Sequence, residues 1–213
     1  MSLERKYDEN VIKSDYHRFL FIYDIWAKLT ETKAQRKVME FASIENGDNV
    51  LEVAVGTGML FKKIVELNPQ GSNEGVDLSP DMLSKAASRM RKVEGKYHLQ
   101  VGNAMDLPFE DNSFDKLVNM FMLDLLPEDS FQKILSEFTR VVKPGGVIVV
   151  ATMSKGAKRR NSFWSYLSKK TPRLLAGCRP VSLESNLNKL QVTLETEDIS
   201  QNTFPARVYK ITT

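Results

Sequence analysis

The stretch that decides the fold is Asn49-Val50-Leu51-Glu52-Val53-Ala54-Val55-Gly56-Thr57-Gly58-Met59-Leu60-Phe61. Its first seven residues form a valine-rich run typical of a buried strand, and the residues after the second glycine are typical of a helix. Glycine permits positive φ and has no Cβ, so the backbone at Gly56 and Gly58 can approach a ligand closely. Free amides at the helix start can then meet a polar group. The stretch predicts a ligand-binding turn, although a purely structural turn would have the same letters.

On both sides of this turn, short β-branched runs alternate with helical patterns. The predicted strands cover 49–55, 72–77, 97–102, 114–121 and 147–153, and the predicted helices cover 60–67, 81–93 and 127–142. This alternation is typical of a mostly parallel sheet with helices on both faces. The sequence therefore predicts a doubly wound α/β fold.

The two ends of the chain extend this fold. A helical pattern over 13–41 predicts a helical cap in front of the sheet. A helix at 182–190 and closing strands at 191–196 and 206–211 bring the sheet to seven strands, and we expect a loop over 197–205 between the last two.

The composition fits one soluble domain. The chain has 213 residues, of which 42% are hydrophobic and 27% charged, and this excludes collagen-like and wholly disordered chains. The single cysteine, Cys178, cannot form an internal disulfide, and two histidines are too few to suggest a structural zinc site. The N-terminus is charged, and no apolar run approaches the roughly 18–20 residues of a membrane span. We expect a cytoplasmic protein without a structural metal.

Three features of the turn separate the cofactors that such a fold can hold. A dinucleotide-binding turn needs a third Gly or Ala three residues after the second glycine, and this position is Phe61. A phosphate-binding loop needs Lys and then Ser or Thr, and Met59-Leu60 excludes it. Instead, the carboxylate of Glu52 lies inside the strand, where a charge is costly without a cation or hydrogen-bond donor. An aminoacyl group would supply that partner.

These residues resemble the class I S-adenosylmethionine-dependent methyltransferases with a type 11 domain. Within that family they are similar to the small-molecule branch of ubiquinone and menaquinone biosynthesis methyltransferases and to the bacterial phospholipid N-methyltransferases. Glu52-x-Ala54-x-Gly56-x-Gly58 resembles the family's acidic-x-Gly-x-Gly-x-Gly motif, with Ala54 where the family usually has Gly. The resemblance implies a Rossmann-like fold, S-adenosylmethionine as cofactor and S-adenosylhomocysteine as product.

Later stretches resemble the same family in order and spacing. Asp77, at the end of the second strand, stands where a carboxylate binds the ribose, while Ser79 is placed to cap the next helix. Asn103 stands where the family contacts adenine, unless it only shapes a turn. The implied cofactor-binding residues are Glu52, Ala54, Gly56, Thr57, Gly58, Asp77, Leu78, Met82, Asn103, Ala104, Met105, Asn119 and Phe121.

The end of the fourth strand, 119–124, should lie beside the reactive methyl group. Its one ionisable residue, Asp124, is expected either to be buried there or to lie exposed at a helix start. Methyl transfer to an O, N or C nucleophile depends mainly on alignment and exclusion of water. Where the acceptor must lose a proton, the candidate bases are Asp124, Tyr23, His17 and Tyr16. The Lys143-Pro144-Gly145-Gly146 turn also matches the family, and we expect it to be structural.

The resemblance implies one methyltransferase domain in four parts. These are a helical cap (1–44), a cofactor-binding core (45–153), a lid or insert (154–181) and a closing helix with strands (182–213). Although the net charge is only +3, residues 154–183 carry eight Lys and Arg and no acidic residue. Because aromatic residues lie among these cations, 155–179 is expected to contact an anionic acceptor, a small molecule or lipid, or an acidic membrane surface. A solvated lid remains an alternative, and nucleic acid is the least expected partner.

Two other functions remain open at this point. An NAD(P)-dependent oxidoreductase would share the sheet, the glycine turn and Asp77, but Phe61 and the Lys-Pro-Gly-Gly turn count against it. A methyltransferase-like protein without catalysis would bind the cofactor without turnover. The departures from the family at Ala54 and Asn103 leave that alternative open.

Overall fold

A computed structural model of the protein describes residues 30–155, 178–202 and 204–213. In chain order the elements are α1 (Thr32–Ala42), β1 (Asn49–Val53), α2 (Met59–Leu67), β2 (Ser72–Asp77), α3 (Pro80–Met90), β3 (Tyr97–Val101), β4 (Phe114–Met120), two 3-10 helices (Leu123–Leu125 and Glu128–Ser130), α4 (Phe131–Val141), β5 (Val142–Met153), α5 (Glu184–Leu187), β6 (Thr193–Gln201) and β7 (Phe204–Thr212). Of the predicted cap over 13–41, residues 30–41 lie among the described residues.

The strands form one sheet in the order β3-β2-β1-β4-β5-β7-β6. Strands β1 to β5 pair in parallel, and β7 runs antiparallel between β5 and β6. The predicted seven-stranded, mostly parallel sheet is therefore confirmed. The order reverses between β1 and β4, whose ends pair at Val53 and Asn119. In open α/β sheets a ligand crevice forms at such a reversal.

Alternating side chains of the strands build a core on each face of the sheet. On one face, β-strand valines such as Val118 pack against Val38 of α1 and Ile64 of α2. On the other face, Leu117 packs with Phe138 of α4. The two layers of helices hold the sheet rigidly, so the ends of β1, β2 and β4 present fixed side chains to one crevice.

The closing hairpin differs from its prediction. The predicted loop over 197–205 is wrong, because β6 continues to Gln201 and β7 begins at Phe204. Strand β6 is an edge strand with mostly exposed polar side chains, so it lacks the apolar alternation that marks a strand. Long-range ion pairs support it instead: Arg207 Nε lies 2.7 Å from Asp198 Oδ1, and Lys37 Nζ lies 2.9 Å from Glu197 Oε2.

The boundaries of the other helices and strands differ less from their predictions. The predicted helix over 182–190 is reduced to α5, and β5 begins at Val142, before the Lys-Pro-Gly-Gly segment, where its register with β4 shifts. Ser79 caps α3 as expected, its Oγ accepting a 3.4 Å hydrogen bond from the Met82 amide. No described helix has the length and apolar character needed to cross a bilayer. The described residues also contain no cluster of three or more side chains suited to a metal ion.

Candidate active site

Two adjoining cavities open where the strand order reverses. The main cavity is bounded by the turns after β1 and β2, the residues after β3, and the end of β4. The side cavity lies beside it, toward the start of α1, and the two share Ala54, Gly56 and Met120. A ligand lying across Ala54 and Gly56 would therefore reach both.

The glycine turn owes its shape to three left-handed residues. Gly56 has φ 57°, and a Cβ built on it would have no atom within 4 Å, so its surface faces open space. Ala54 has φ 61°, which explains why a glycine would suit the position and shows that alanine accepts it at some cost. Gly58 has φ 78° and serves another purpose: a Cβ there would lie 3.0 Å from Ala86 of α3. Gly58 lines neither cavity and instead lets α2 and α3 pack closely.

Asp77 is held at the end of β2 by the turn that it faces. Its Oδ2 accepts a 2.7 Å hydrogen bond from the Gly56 amide, and its Oδ1 accepts one of 2.9 Å from the Ser79 amide. Burial raises the pKa of Asp77, and the hydrogen bonds from Ser79, Gly56 and Leu78 oppose that rise. The carboxylate is thus fixed in the wall of the main cavity with capacity to accept further hydrogen bonds.

Glu52 brings a second carboxyl group, to the side cavity. It is only 3% exposed, and its Oε2 is buried with no hydrogen-bond partner among the described residues. Burial and the nearby charge of Asp77 raise the pKa of Glu52 well above its ordinary value. Beside it, buried Thr57 accepts a 3.0 Å hydrogen bond from Arg89 Nη1 of α3. An unpartnered buried carboxyl group is a natural site for a cationic or donor group.

The far end of the main cavity has apolar walls and an amide. Leu78, Met82, Ala104 and Met105 line it together with Asn103. The Oδ1 of Asn103 accepts a 2.9 Å hydrogen bond from the Met105 amide, so the side-chain carbonyl shapes the turn. Asn103 therefore shapes a turn and also lines the cavity, and its contact with adenine stays a prediction.

At the end of β4, only part of 119–124 reaches a cavity. Met120, Phe121 and Met122 line the main cavity, whereas Asn119 does not. Asn119 is fully buried, and its Nδ2 donates a 2.8 Å hydrogen bond to the carbonyl of Val53, so it ties β4 to β1. Phe121 has φ 51°, a rare conformation for a bulky residue, and its ring packs 5.8 Å from that of Phe204. Strained residues of this kind persist only where packing holds them.

Asp124 lies behind the cavity wall. It is fully buried, which excludes the exposed alternative, and its Oδ2 accepts a 2.8 Å hydrogen bond from the Met153 amide at the end of β5. Its Oδ1 has no hydrogen-bond partner among the described residues, and burial raises its pKa to about 7. Asp124 lines neither cavity, so the structure does not bring this candidate base to the site.

Comparison with known proteins identifies the family to which this site belongs. Residues 50–146 match the family described as a methyltransferase domain. A demethylmenaquinone methyltransferase of Staphylococcus aureus (strain JH9) is 33% identical over 159 residues, which are 72% of this chain and 58% of the relative. The chain thus spans somewhat more than half the length of that relative. The core of this chain is a class I S-adenosylmethionine-dependent methyltransferase domain.

Solved structures agree with this fold. A methyltransferase from Aquifex aeolicus aligns with TM-score 0.66 and 18% identity, covering 98% of this chain and 100% of the other. The magnesium protoporphyrin IX methyltransferase of Synechocystis PCC 6803, solved with bound S-adenosylhomocysteine, aligns with TM-score 0.74 and 12% identity, covering 96% and 99%. At such identities the likeness establishes the fold.

S-adenosylmethionine is the cofactor of this methyltransferase family, and the residues present fit it. The fixed carboxylate of Asp77 suits vicinal ribose hydroxyls, the apolar far end suits a purine, and the unpartnered Oε2 of Glu52 suits an ammonium group. The open space over Gly56 lets a ligand lie across the turn. Eleven of the residues implied by the resemblance line the two cavities. Nine line the main cavity: Ala54, Gly56, Asp77, Leu78, Met82, Asn103, Ala104, Met105 and Phe121. Thr57 lines the side cavity. Glu52 joins them in the side cavity.

Sequence reasoning missed one side of the methyltransferase site. Glu31 and Gln35 from the start of α1 line the side cavity, and Leu125, Leu126 and Ile134 line the main cavity. These residues lie far from the motifs along the chain, and only their burial pattern could have indicated them. The other candidate bases, His17, Tyr23 and Tyr16, lie outside the described residues, as does most of the basic segment 155–179.

Proposed function

We propose that this protein transfers a methyl group from S-adenosylmethionine to an apolar, ring-bearing acceptor of the quinol type. The cofactor supplies an electrophilic methyl group on a sulfonium. Asp77, Glu52 and the amides of the glycine turn would bind and orient it, and the walls of the main cavity would exclude water from the reacting atoms.

The observation that carries the acceptor class is the composition of the wall near the end of β4. Phe121, Met122, Leu125, Leu126 and Ile134 line it, and they bring no charged group. Aromatic and methionine side chains offer polarizable, adaptable surface to a flat ring. The quinone-type name of the Staphylococcus aureus relative supports the same class.

Transfer of a labelled methyl group tests this proposal. Purified protein with methyl-labelled S-adenosylmethionine would be offered 1,4-dihydroxynaphthalene, phosphatidylethanolamine vesicles or a protoporphyrin, each in a separate reaction. We expect label in the dihydroxynaphthalene product. Label confined to the lipid or to the porphyrin would contradict the quinol-type acceptor, and no label in any product would contradict methyl transfer to these classes.

We also propose that the segment 155–179 brings the protein to acidic membrane surfaces, where apolar acceptors dissolve. Its support is the sequence: cations interleaved with Phe163, Trp164 and Tyr166, without an acidic residue. Sedimentation with phosphatidylglycerol vesicles should remove the protein from solution at low salt and much less at high salt. Equal binding to phosphatidylcholine vesicles would contradict an electrostatic contact.

A further inference from the structure

Glu31 is a carboxyl group of the site that the cofactor contacts proposed above do not use. It is the N-cap residue of α1 and lines the side cavity, and its side chain makes no capping hydrogen bond. Its backbone carbonyl accepts the hydrogen bond from the Gln35 amide at 2.8 Å, so the residue is anchored at the start of α1, in the wall of the side cavity. An anchored carboxylate in a cavity wall can exchange a proton with a ligand.

Glu31 and Glu52 both line the side cavity, together with Met120 of β4. Ala34, one helical turn after Glu31, packs against Phe121 and Met153 at the ends of β4 and β5. The charge that acts on Glu31 is that of Asp124, on the β4 side, whereas the charge that acts on Glu52 is that of Asp77, on the β2 side. Because Met120 also lines the main cavity, next to Phe121 and Met122, it connects Glu31 to the wall where the acceptor is proposed to bind.

The surroundings of Glu31 disfavour its ionised form. The titratable groups that face it in the described chain are Asp124 from the 3-10 helix after β4, Glu52 from β1 and the thiol of Cys178, and none is cationic. Burial and repulsion by Asp124 raise the pKa of Glu31 to about 8. A phenolic proton has a pKa of about 10, so an ordinary carboxylate is a weak acceptor for it, and a raised pKa removes much of that mismatch.

We propose that Glu31 is the general base of the methyl transfer, an assignment that rests on the proposed function. As the acceptor's oxygen or ring carbon bonds to the methyl carbon, the S–CH3 bond breaks and its electron pair stays on sulfur as a neutral thioether. The acceptor's hydroxyl proton moves to the Glu31 carboxylate, which becomes a neutral carboxyl group. The step consumes one positive and one negative charge, which suits a cavity that excludes water.

The test compares Glu31→Gln with Glu40→Gln, an equal change at an exposed position of α1. With 1,4-dihydroxynaphthalene as the acceptor, we expect kcat of Glu31→Gln to fall about 100-fold or more. Affinity for S-adenosylhomocysteine by calorimetry should stay within about threefold, and Glu40→Gln should match the wild type. In the wild type kcat should rise with pH through about 8, because the base must be ionised. Asp124→Asn should move that midpoint to lower pH, because it removes the repulsion.

A readout independent of turnover separates this proposal from the proposed function. Buried Glu52 and Asp124 also contribute protonated carboxyl bands, so the readout is the infrared difference between the wild type and Glu31→Gln. The component that disappears as pH rises through about 8 should be missing in Glu31→Gln and present in Glu40→Gln. Retained kcat and an unchanged pH profile in Glu31→Gln would overturn the assignment, as would a selective loss of cofactor affinity. If the wild type methylates no acceptor but binds cofactor, the acceptor proposal fails. In that case the infrared component that titrates near pH 8 decides, and its persistence in Glu31→Gln overturns Glu31 as the base.

Discussion

The two walls of the active site are built in different ways. On the β1–β2 side, the two turns that follow neighbouring strands hold the site, as where Asp77 accepts hydrogen bonds from Gly56 and Ser79. On the β4 side, Ala34, Phe121 and Phe204 come together from distant parts of the chain. The first wall fits the constant part of the reaction, the cofactor. The second can vary with the acceptor without disturbing the first.

The largest expected effect is on the free energy of unfolding, and it lies on the β4 side, at the strained residue Phe121. Phe121→Ala should lower the free energy of unfolding by roughly 3–5 kcal/mol, because a buried ring is lost. Phe121→Gly should cost about 1 kcal/mol less than Ala, because glycine accepts φ 51° without strain. Chemical denaturation measures both variants.

Phe131 is the matched control, since it is equally buried and has φ −60° at the start of α4. There the order should reverse, with glycine costlier than alanine. The same order at both positions would show that Phe121 is not held under strain.

On the β1–β2 side, Asp77→Ala should remove the carboxylate that is predicted to bind the ribose hydroxyls. Charge-assisted hydrogen bonds are worth roughly 1.5–3 kcal/mol each, so the loss of two should weaken S-adenosylhomocysteine binding by about 100-fold or more. Calorimetry measures the affinity, and circular dichroism verifies folding. Asp81→Ala, an exposed carboxylate in the first turn of α3, should bind like the wild type. A folded Asp77→Ala protein with normal affinity for S-adenosylhomocysteine would show that the cofactor does not bind at this wall.

Asp124 should show its buried position through pH-dependent stability. Its pKa of about 7 in the folded protein lies above the ordinary value of 3.8, so the folded state binds the proton more tightly than the unfolded chain. The stability from this group is complete below about pH 4 and is lost as pH rises to about 7. Asp124→Asn should therefore raise the free energy of unfolding at pH 8 by roughly 1–3 kcal/mol, and change it little at pH 4.

The exposed neighbour Asp129 provides the control for that change. Asp129→Asn should leave stability nearly unchanged at both pH values. If Asp124→Asn were destabilising at pH 8, the ionised carboxylate would have a stabilising partner that contradicts this description.

The smallest effect belongs to Ala54, in the turn itself. Ala54→Gly should raise the free energy of unfolding by at most about 1 kcal/mol, since relief of the left-handed strain is offset by the entropy of glycine. That corresponds to about 2–4 °C in Tm for a chain of this size. Ala87→Gly, at an exposed position of α3, should instead lower Tm. A lower Tm for Ala54→Gly would show that the alanine methyl group is needed in the turn.

The difference between the two walls also explains how much of the structure the sequence could predict. The alternation of apolar runs and turns gave every strand of the parallel sheet, and the glycine turn with Asp77 predicted the first wall, because those signals are local. Gly58 and Asn119 have the residue types of ligand contacts, but their packing and hydrogen bonds hold Ala86 and Val53 instead. Glu31 carries no local signal, because its role depends on what the fold packs around it.

Calorimetric titration of the wild-type protein with S-adenosylhomocysteine and, separately, with NAD tests the central claim most directly. The account predicts saturable heat at one site per chain with S-adenosylhomocysteine and none with NAD. Saturable binding of NAD, or no heat with S-adenosylhomocysteine, would contradict it.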